Sequence, residues 1–237
     1  MGTLFGALIG LTFVGSILTT IPTVLVEWVR RKSPDVLFYA ETPRKVLALT
    51  IDDGPSTATA EILDVLSENG AHATFFVIGS HVDAHPDVMA RLVADGHELG
   101  HHMMYDEKSI DLAPDTFAAQ FDELHGVLSR LGGSRVFRPG SGWYDDRMVE
   151  TAARRGYRTV LGSVYPFDAQ LPSARIAGWY VLQHAAPGAI VVLHDGPERG
   201  RRTADALRRI LPELRRRGYD IVTVSGLIDA AATARIP

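Results

Sequence analysis

Short apolar segments alternate with amphipathic segments along most of the chain, and this alternation constrains the fold more than any other feature. Each apolar segment is rich in Val, Ile, Leu and Phe, as expected of parallel strands buried on both faces. The predicted strands are Val46–Ile51, Ala73–Ile78, Glu98–His101, Val136–Arg138, Thr159–Gly162, Ala189–Leu193 and Asp220–Val224. Strands separated by helices predict an α/β fold, either a (β/α) barrel or a doubly wound sheet.

Helical periodicity fills most of the intervals between these strands. The predicted helices are Ala60–Glu68, Pro86–Ala94, Thr116–Leu131, Met148–Arg155 and Ala204–Arg217. Phe117, Phe121 and Leu124 recur at the spacing of one helix face, which is typical of a helix packed against a core. No internal linker or repeat interrupts the pattern, so the sequence predicts one sizeable domain after the N-terminal segment.

The first 26 residues are uncharged and mostly apolar. Because about 20 apolar residues cross a bilayer, we expect a membrane segment over residues 1–32, a linker over 33–43 and one domain over 44–237. A cleaved signal peptide and a buried helix are the alternatives. No Lys or Arg precedes the apolar run and no A-x-A pattern follows it, unlike a typical signal peptide. The positive-inside rule favours a cytoplasmic position for the Arg30–Lys32 end.

Charge and cysteine content exclude several kinds of partner and site. The chain has 24 Lys and Arg against 28 Asp and Glu, which is not the basic balance of a nucleic-acid-binding protein. Two short basic runs, Arg199–Arg202 and Arg215–Arg217, are predicted to be solvated helix faces or termini. The chain has no Cys, which excludes disulfides and thiolate metal sites. Any bound metal must therefore be held by His, Asp or Glu.

Polar side chains stand at the ends of four predicted strands. They are Asp52 and Asp53, then His101, His102 and Asp106, then Arg138, and finally His194 with Asp195. The carboxyl ends of the strands of a (β/α) barrel meet on one face, where active sites form. Each residue alone has an ordinary explanation, such as a turn, a surface pair or a salt bridge. Together they form a set of hard ligands and acid–base groups suited to Zn²⁺ or another divalent ion.

Ordered motifs carry a resemblance to a known family. They read LTIDDGP at residues 49–55, ATFFVIG at 73–79, GHELGHH at 96–102, FRPGSGW at 137–143 and VVLHDG at 191–196. Through them the chain, from about Arg44 to Leu227, resembles the NodB-type polysaccharide deacetylases, carbohydrate esterase family 4. The resemblance implies a deformed (β/α) barrel of about seven parallel strands. It also implies a metal-dependent hydrolase that removes N-acetyl groups from an N-acetylglucosamine-containing polysaccharide or glycan.

The resemblance also implies roles by position. Asp52 is expected to be the general base that takes a proton from the attacking water, and His194 the general acid that protonates the departing amine. Arg138 is expected to orient Asp52 and keep it ionised. Asp53 and His102 are expected to bind the metal ion, which polarises the acetyl carbonyl. Zn²⁺ is the favoured ion, with Co²⁺, Mn²⁺ and Ni²⁺ as alternatives.

The metal site departs from the family pattern at one position. Asp106 stands where a second metal-binding His is usual, and we predict it as the third ligand. A carboxylate there is expected to make the metal a weaker Lewis acid and to favour a harder ion than zinc. His101 is an alternative ligand, although adjacent side chains on a strand point apart.

Other positions are expected to contact the substrate or the reacting atoms. Trp143 and Tyr144 are predicted to stack on a sugar ring, with packing in the core or rim as the alternative. Asp168 is grouped with them at the substrate site, and it is also the candidate for the Asp that tunes the acidic His. A backbone amide near Gly140–Gly142 is expected to help hold the oxyanion.

Two other functions remain open at this point. The Asp106 substitution is compatible with a catalytically impaired carbohydrate-binding protein of the same fold, and related enzymes act as amidases on other C–N bonds. The presence of Asp52, Arg138 and His194 favours an enzyme. The expected partners are an acetylated glycan and, through the N-terminal segment, a membrane; no nucleic acid is expected. A glycan substrate favours an extracytoplasmic location for a single-pass, membrane-anchored protein.

Overall fold

The computed structural model of the protein describes residues 24–234, which divide after Pro34 into two compact units. In the first unit, residues 24–32 form helix α1. Within the described residues, no helix has both the length and the apolar character needed to cross a bilayer. This finding contradicts the predicted single-pass membrane anchor and its localisation. Residues 1–23, which hold most of the apolar segment, lie outside the described part of the chain.

The second unit is built on one sheet of eight strands, all paired in parallel. The strands are β1 (Val36–Leu37), β2 (Val46–Gly54), β3 (Thr74–Val77), β4 (Glu98–His101), β5 (Val136–Phe137), β6 (Arg158–Val160), β7 (Ile190–His194) and β8 (Asp220–Val222). Their order is β1-β6-β5-β4-β3-β2-β7, and β8 lies beside the first half of β2. All seven predicted strands are present. The eighth strand, β1, was not predicted and lies in the segment predicted as a linker. It forms because Val36 and Leu37 are buried beside β6.

The sheet curls into an irregular barrel. Val164, in the loop after β6, pairs with Val191 of β7. Its amide donates to the Ile190 carbonyl at 3.1 Å, and the Val192 amide donates back to the Val164 carbonyl at 3.0 Å. This contact closes the circuit of strands between β6 and β7. The expected deformed (β/α) barrel is therefore confirmed.

The helices of the second unit pack on this sheet. They are α2 (Thr59–Glu68), α3 (Gly79–Val82), α4 (Pro86–Ala94), α5 (Pro114–Arg130), α6 (Asp146–Arg154), α7 (Ala174–His184), α8 (Arg199–Arg216) and α9 (Val224–Thr233). The five predicted helices are present, but α3, α7 and α9 were not predicted. In α7 a helix-weakening glycine, Gly178, lies against α8, where an added Cβ would be 3.8 Å from Arg209 Cβ. The packing, and not the local propensity, therefore stabilises this helix.

The period-two pattern of the strands places the polar residues inside the barrel. On β2, Leu47 and Leu49 pack in the cluster that faces the helices, whereas Val46 and Ala48 pack in the barrel interior. Asp52 has the same parity as Ala48, so its side chain turns inward at the strand's carboxyl end. His194 shares the parity of interior-facing Ile190 on β7. The strands therefore direct both side chains to one end of the barrel.

Gly188 is required by a close backbone approach at the entry to β7. Its φ is +81°, and an added Cβ would lie 1.7 Å from the Ala40 carbonyl oxygen. We expect Gly188→Ala to lower the free energy of unfolding by about 3 kcal/mol, because the chain at Ala40 must move and the hydrogen bond from the Ala40 amide to the Gly188 carbonyl weakens. Urea unfolding measures the loss. Gly132→Ala is the control: its φ is +73° but no atom lies within 4 Å of the added Cβ. It should cost only about 1 kcal/mol, and equal losses would contradict the steric argument.

Candidate active site

Asp52 and Arg138 form a buried ion pair inside the carboxyl end of the barrel. Arg138 Nη1 donates to Asp52 Oδ1 at 2.6 Å, and both side chains are almost fully buried. The guanidinium also donates to Thr50 Oγ1 at 2.7 Å and to the Leu161 carbonyl at 2.6 Å, and it lies over the Phe76 ring at 4.1 Å. Arg138 is therefore held on several sides, and it fixes the orientation of the Asp52 carboxylate.

Asp53 points to a different group of partners. Its φ is +69°, and the register between β2 and β3 shifts between Asp52 and Gly54. Such an irregularity re-aims a side chain at the end of a strand. Burial raises the pKa of the Asp53 carboxyl, but the hydrogen bond with His102 and the nearby cationic side chains outweigh burial and lower that pKa to about 2. Asp53 is therefore ionised at neutral pH.

His102 lies directly after β4 and is buried. Its Nδ1–H donates to the Arg138 carbonyl at 2.8 Å, and its Nε2 faces Asp53 Oδ1 at 3.3 Å. Burial lowers the pKa of His102, but the hydrogen bond to Asp53 and the charges of Asp52 and Asp53 outweigh burial and raise it. An imidazole held through Nδ1, with Nε2 beside a carboxylate, has the arrangement of a metal-binding His. A divalent ion would displace the Nε2 proton, so these two donors fit such an ion.

The predicted third ligand is not part of this group. Asp106 is exposed in the loop after β4. Across residues 24–234, no set of three or more His, Asp or Glu side chains is arranged to hold a metal ion. The structure thus joins Asp53 with His102 and leaves Asp106 apart from them. The role of Asp106 stays a prediction.

His101 is buried in the hydrophobic core. Its Nε2 donates to the Phe121 carbonyl at 3.0 Å, and its Nδ1 accepts from the Met103 amide at 3.2 Å. The ring stacks on the Phe121 ring with centroids 4.0 Å apart, and burial lowers the pKa of His101 to about 3. Because both ring nitrogens have protein partners, the alternative ligand is excluded.

His194 and Asp168 form the second acid–base pair. His194 ends β7, and its Nδ1–H donates to Asp168 Oδ1 at 3.0 Å, while the His194 amide donates to Asp168 Oδ2 at 2.8 Å. Burial lowers the pKa of His194, but the hydrogen bond to Asp168 and the nearby carboxylates outweigh burial and raise the pKa to about 9. His194 is therefore a protonated imidazolium at neutral pH. Asp168 is buried beneath it, which suits the tuning role better than direct substrate contact.

Asp195 joins the segment after β7 to the segment after β2 through buried hydrogen bonds. Its carboxylate is fully buried and accepts from Ser56 Oγ at 2.7 Å, from the Gly196 amide at 2.6 Å and from Thr59 Oγ1. Its amide donates to the Asp52 carbonyl at 2.8 Å. Burial raises the pKa of Asp195. Its neighbours therefore make Asp195 a structural residue that ties β7 and the start of α2 to β2.

The loop after β5 separates the two predicted aromatic residues. Trp143 is 67% exposed, whereas Tyr144 is partly buried against a cluster that includes Phe137 and Met148. Trp143 alone of this pair has a largely open face. The Gly140 amide donates to Ser109 Oγ at 2.8 Å and the Gly142 amide to the Pro139 carbonyl at 3.0 Å. These two amides are therefore occupied, and the oxyanion donor expected in this loop stays a prediction.

One cationic side chain at the site was missed. Arg199, the first residue of α8, places Nη1 3.1 Å from Asp53 Oδ2. It belongs to the basic run predicted to be a solvated helix end. Arg201 of the same run is exposed as predicted. The signal for Arg199 was its position five residues after His194, where the chain leaves the carboxyl end of a barrel strand and enters α8.

Comparison with known proteins agrees with this geometry. Residues 39–160 match a family model described as polysaccharide deacetylase. A peptidoglycan-N-acetylglucosamine deacetylase of Bacillus cereus is 38% identical over 192 residues, covering 78% of this chain and 88% of the relative. A chitooligosaccharide deacetylase of a Bradyrhizobium species is 35% identical over 198 residues, covering 73% of this chain and 86% of the relative.

A solved structure shows the same fold. The crystal structure of a peptidoglycan N-acetylglucosamine deacetylase has a TM-score of 0.77 and 28% identity, covering 81% of this chain and 92% of that one. The family match, the similarity of the relatives and the common fold all point to one assignment. The chain belongs to the polysaccharide deacetylase family.

Proposed function

We propose that this protein hydrolyses N-acetyl groups on an N-acetylglucosamine-containing glycan with the help of a divalent metal ion. The observation that carries the proposal is a pair of acid–base groups at one end of the barrel. Asp52 is fixed by Arg138, and His194 is protonated through Asp168. A carboxylate held by Arg138 and a protonated imidazole at the same end of the barrel suit a reaction that both removes and delivers a proton.

Each residue of the site has a separate role in the proposed hydrolysis. Asp52 accepts a proton from the water that attacks the acetyl carbon. His194 donates its proton to the amine nitrogen as the C–N bond breaks, and Asp168 stabilises the imidazolium until then. Asp53 and His102 would hold the ion. When bound, a divalent ion polarises the acetyl carbonyl and lowers the pKa of the attacking water. The exposed face of Trp143 is suited to stacking on a sugar ring at the rim.

Zn²⁺, Co²⁺, Mn²⁺ and Ni²⁺ are the candidate ions, and Asp106 is the proposed third ligand. The loop that carries Asp106 would have to bring its carboxylate to Asp53 and His102 when the ion binds. Asp106→His should then strengthen Zn²⁺ binding, since imidazole is a good zinc ligand. An unchanged Zn²⁺ affinity in this variant would show that Asp106 is not a ligand.

Acetate release tests the proposal. The full-length protein is stripped with a chelator, resupplied with each of the four ions and offered short N-acetylglucosamine oligomers. We expect release that requires the ion and disappears in Asp52→Asn. Binding of one equivalent of ion without acetate release from any oligomer or from acetylated peptidoglycan would contradict an enzyme. It would favour a carbohydrate-binding protein, a function with which the exposed position of Asp106 is also compatible.

A further inference from the structure

Arg199 and His102 share the two oxygens of the Asp53 carboxylate. Oδ1 faces His102 Nε2 at 3.3 Å, and Oδ2 is 3.1 Å from Arg199 Nη1. The side chain of Asp53 is 13% exposed and that of Arg199 is 34% exposed. The guanidinium therefore lies on the solvent side of the carboxylate, and the imidazole lies on the buried side.

The backbone that carries Arg199 is firmly placed. An added Cβ on the next residue, Gly200, would lie 2.4 Å from Asp195 Oδ1 and 2.7 Å from Ala58 Cβ. The Gly200 amide donates to the Gly196 carbonyl at 2.7 Å. The first turn of α8 is thus packed directly on the buried side chains of Asp195 and Ala58. This support fixes the Cα of Arg199 within reach of Asp53, and the ion pair places the guanidinium on the carboxylate.

We propose that Arg199 is a positioning residue that withholds Oδ2 of Asp53 from the metal ion, so that this ligand offers Oδ1 alone. The inference rests on the proposed function, because it takes Asp53 as a metal ligand. Hydrogen-bond partners of a ligating carboxylate orient it and tune the ion that it holds. With Oδ2 engaged, Asp53 would give an ion only one oxygen, which would leave room for water and for the acetyl oxygen. The positive charge beside the carboxylate also reduces the charge that Asp53 donates to the ion.

Loss of Arg199 should therefore change two properties in opposite directions. Without the guanidinium, both oxygens of Asp53 can turn to the ion and a repelling charge is gone, so the ion binds more tightly. The same change makes the ion a poorer electrophile and fills a position that the reaction needs, so turnover falls. A merely structural role would weaken metal binding and turnover together.

Co²⁺ affinity and acetate release on the full-length protein test the proposal. For Arg199→Ala we expect a Co²⁺ Kd at least about tenfold lower, because a repelling unit charge beside the ion is removed. We expect a kcat about 10–100-fold lower, the usual range for a residue that orients a ligand. Arg199→Gln should behave alike, and Arg199→Lys should stay nearer the wild type because it keeps the charge. Arg201→Ala is the matched control, since it removes an exposed arginine from the same helical turn. It should change neither quantity.

Any other pattern overturns the proposal. A Co²⁺ Kd that is unchanged or raised in both Arg199→Ala and Arg199→Gln would show that Arg199 does not compete for Asp53. A lower Co²⁺ Kd with an unchanged kcat would show that the charge of Arg199 repels the ion but that Arg199 does not withhold Oδ2 of Asp53 from it. If the wild type releases no acetate with any ion, the proposed function fails, and the Kd comparison then decides about Arg199 by itself.

Discussion

Replacement of Asp52 by Asn is expected to lower kcat for acetate release by about 10²–10⁴-fold, the usual contribution of a general base. Asn has nearly the same shape and keeps an oxygen that can accept from Arg138, but it cannot take a proton from water. Metal affinity should change little, because Asp53 and His102 remain. The measurement combines acetate release at saturating substrate with a titration of bound metal.

Stability must be followed in the same variant. Arg138 would lose its charged partner while keeping its hydrogen bonds to Thr50 and Leu161. Removing one member of a buried ion pair costs about 3–5 kcal/mol, and the retained amide acceptor should reduce that loss. Urea unfolding shows whether the variant is folded during the assay. Asp87→Asn, on the exposed side of α4, is the control. A folded Asp52→Asn variant that retains a tenth or more of wild-type turnover would rule out Asp52 as the base.

Replacement of Asp168 by Asn is expected to move the alkaline limit of activity to lower pH. His194 must be protonated to act as the acid, and its pKa of about 9 depends first on the hydrogen bond to Asp168 among the interactions that raise it. Without that carboxylate the pKa of His194 falls, so the proton is lost at lower pH. The pH profile of kcat measures the shift. Asp229→Asn, an exposed substitution on α9, should leave the profile unchanged.

The same pair should make stability depend on pH. The pKa of His194 is about 9 in the folded protein against an ordinary 6.5. A group with a raised folded pKa stabilises the native state fully below pH 6.5 and loses that contribution as the pH rises through 9. In metal-free protein, the excess stability of the wild type over Asp168→Asn should therefore shrink between pH 6.5 and pH 9.5. The whole pKa shift of His194 corresponds to roughly 3 kcal/mol, and Asp168 supplies part of it together with Asp52 and Asp53. A difference that is constant over this range would contradict the coupling of Asp168 to His194.

The sequence alone determined the strands and the end of the barrel that carries the site. Apolar runs with turn residues at their ends marked seven of the eight strands in the described residues. Parity along β2 and β7 already directed Asp52 and His194 to one side. These features are local, because the periodicity of a strand and the polar residue at its end involve residues that are neighbours in sequence.

Tertiary structure decided which of these residues meet. Arg138 reaches Asp52 across 86 residues of sequence, and Asp168 reaches His194 across 26. The loops that carry Asp168 and Asp106, and the turn that leads into α8 at Arg199, have no periodicity, so their paths depend on contacts with other parts of the chain. Such contacts joined Asp168 to His194 and Arg199 to Asp53, and they left Asp106 exposed.

The same distinction explains the elements that were missed. β1 is only two residues long and exists because β6 offers it a partner, and α7 tolerates its glycine because α8 lies against it. The sequence by itself therefore determined the repeating α/β framework and the chemical types at its active end. Only the folded chain decided the partners, since ion pairs and loop positions arise from residues that are distant in sequence and close in space.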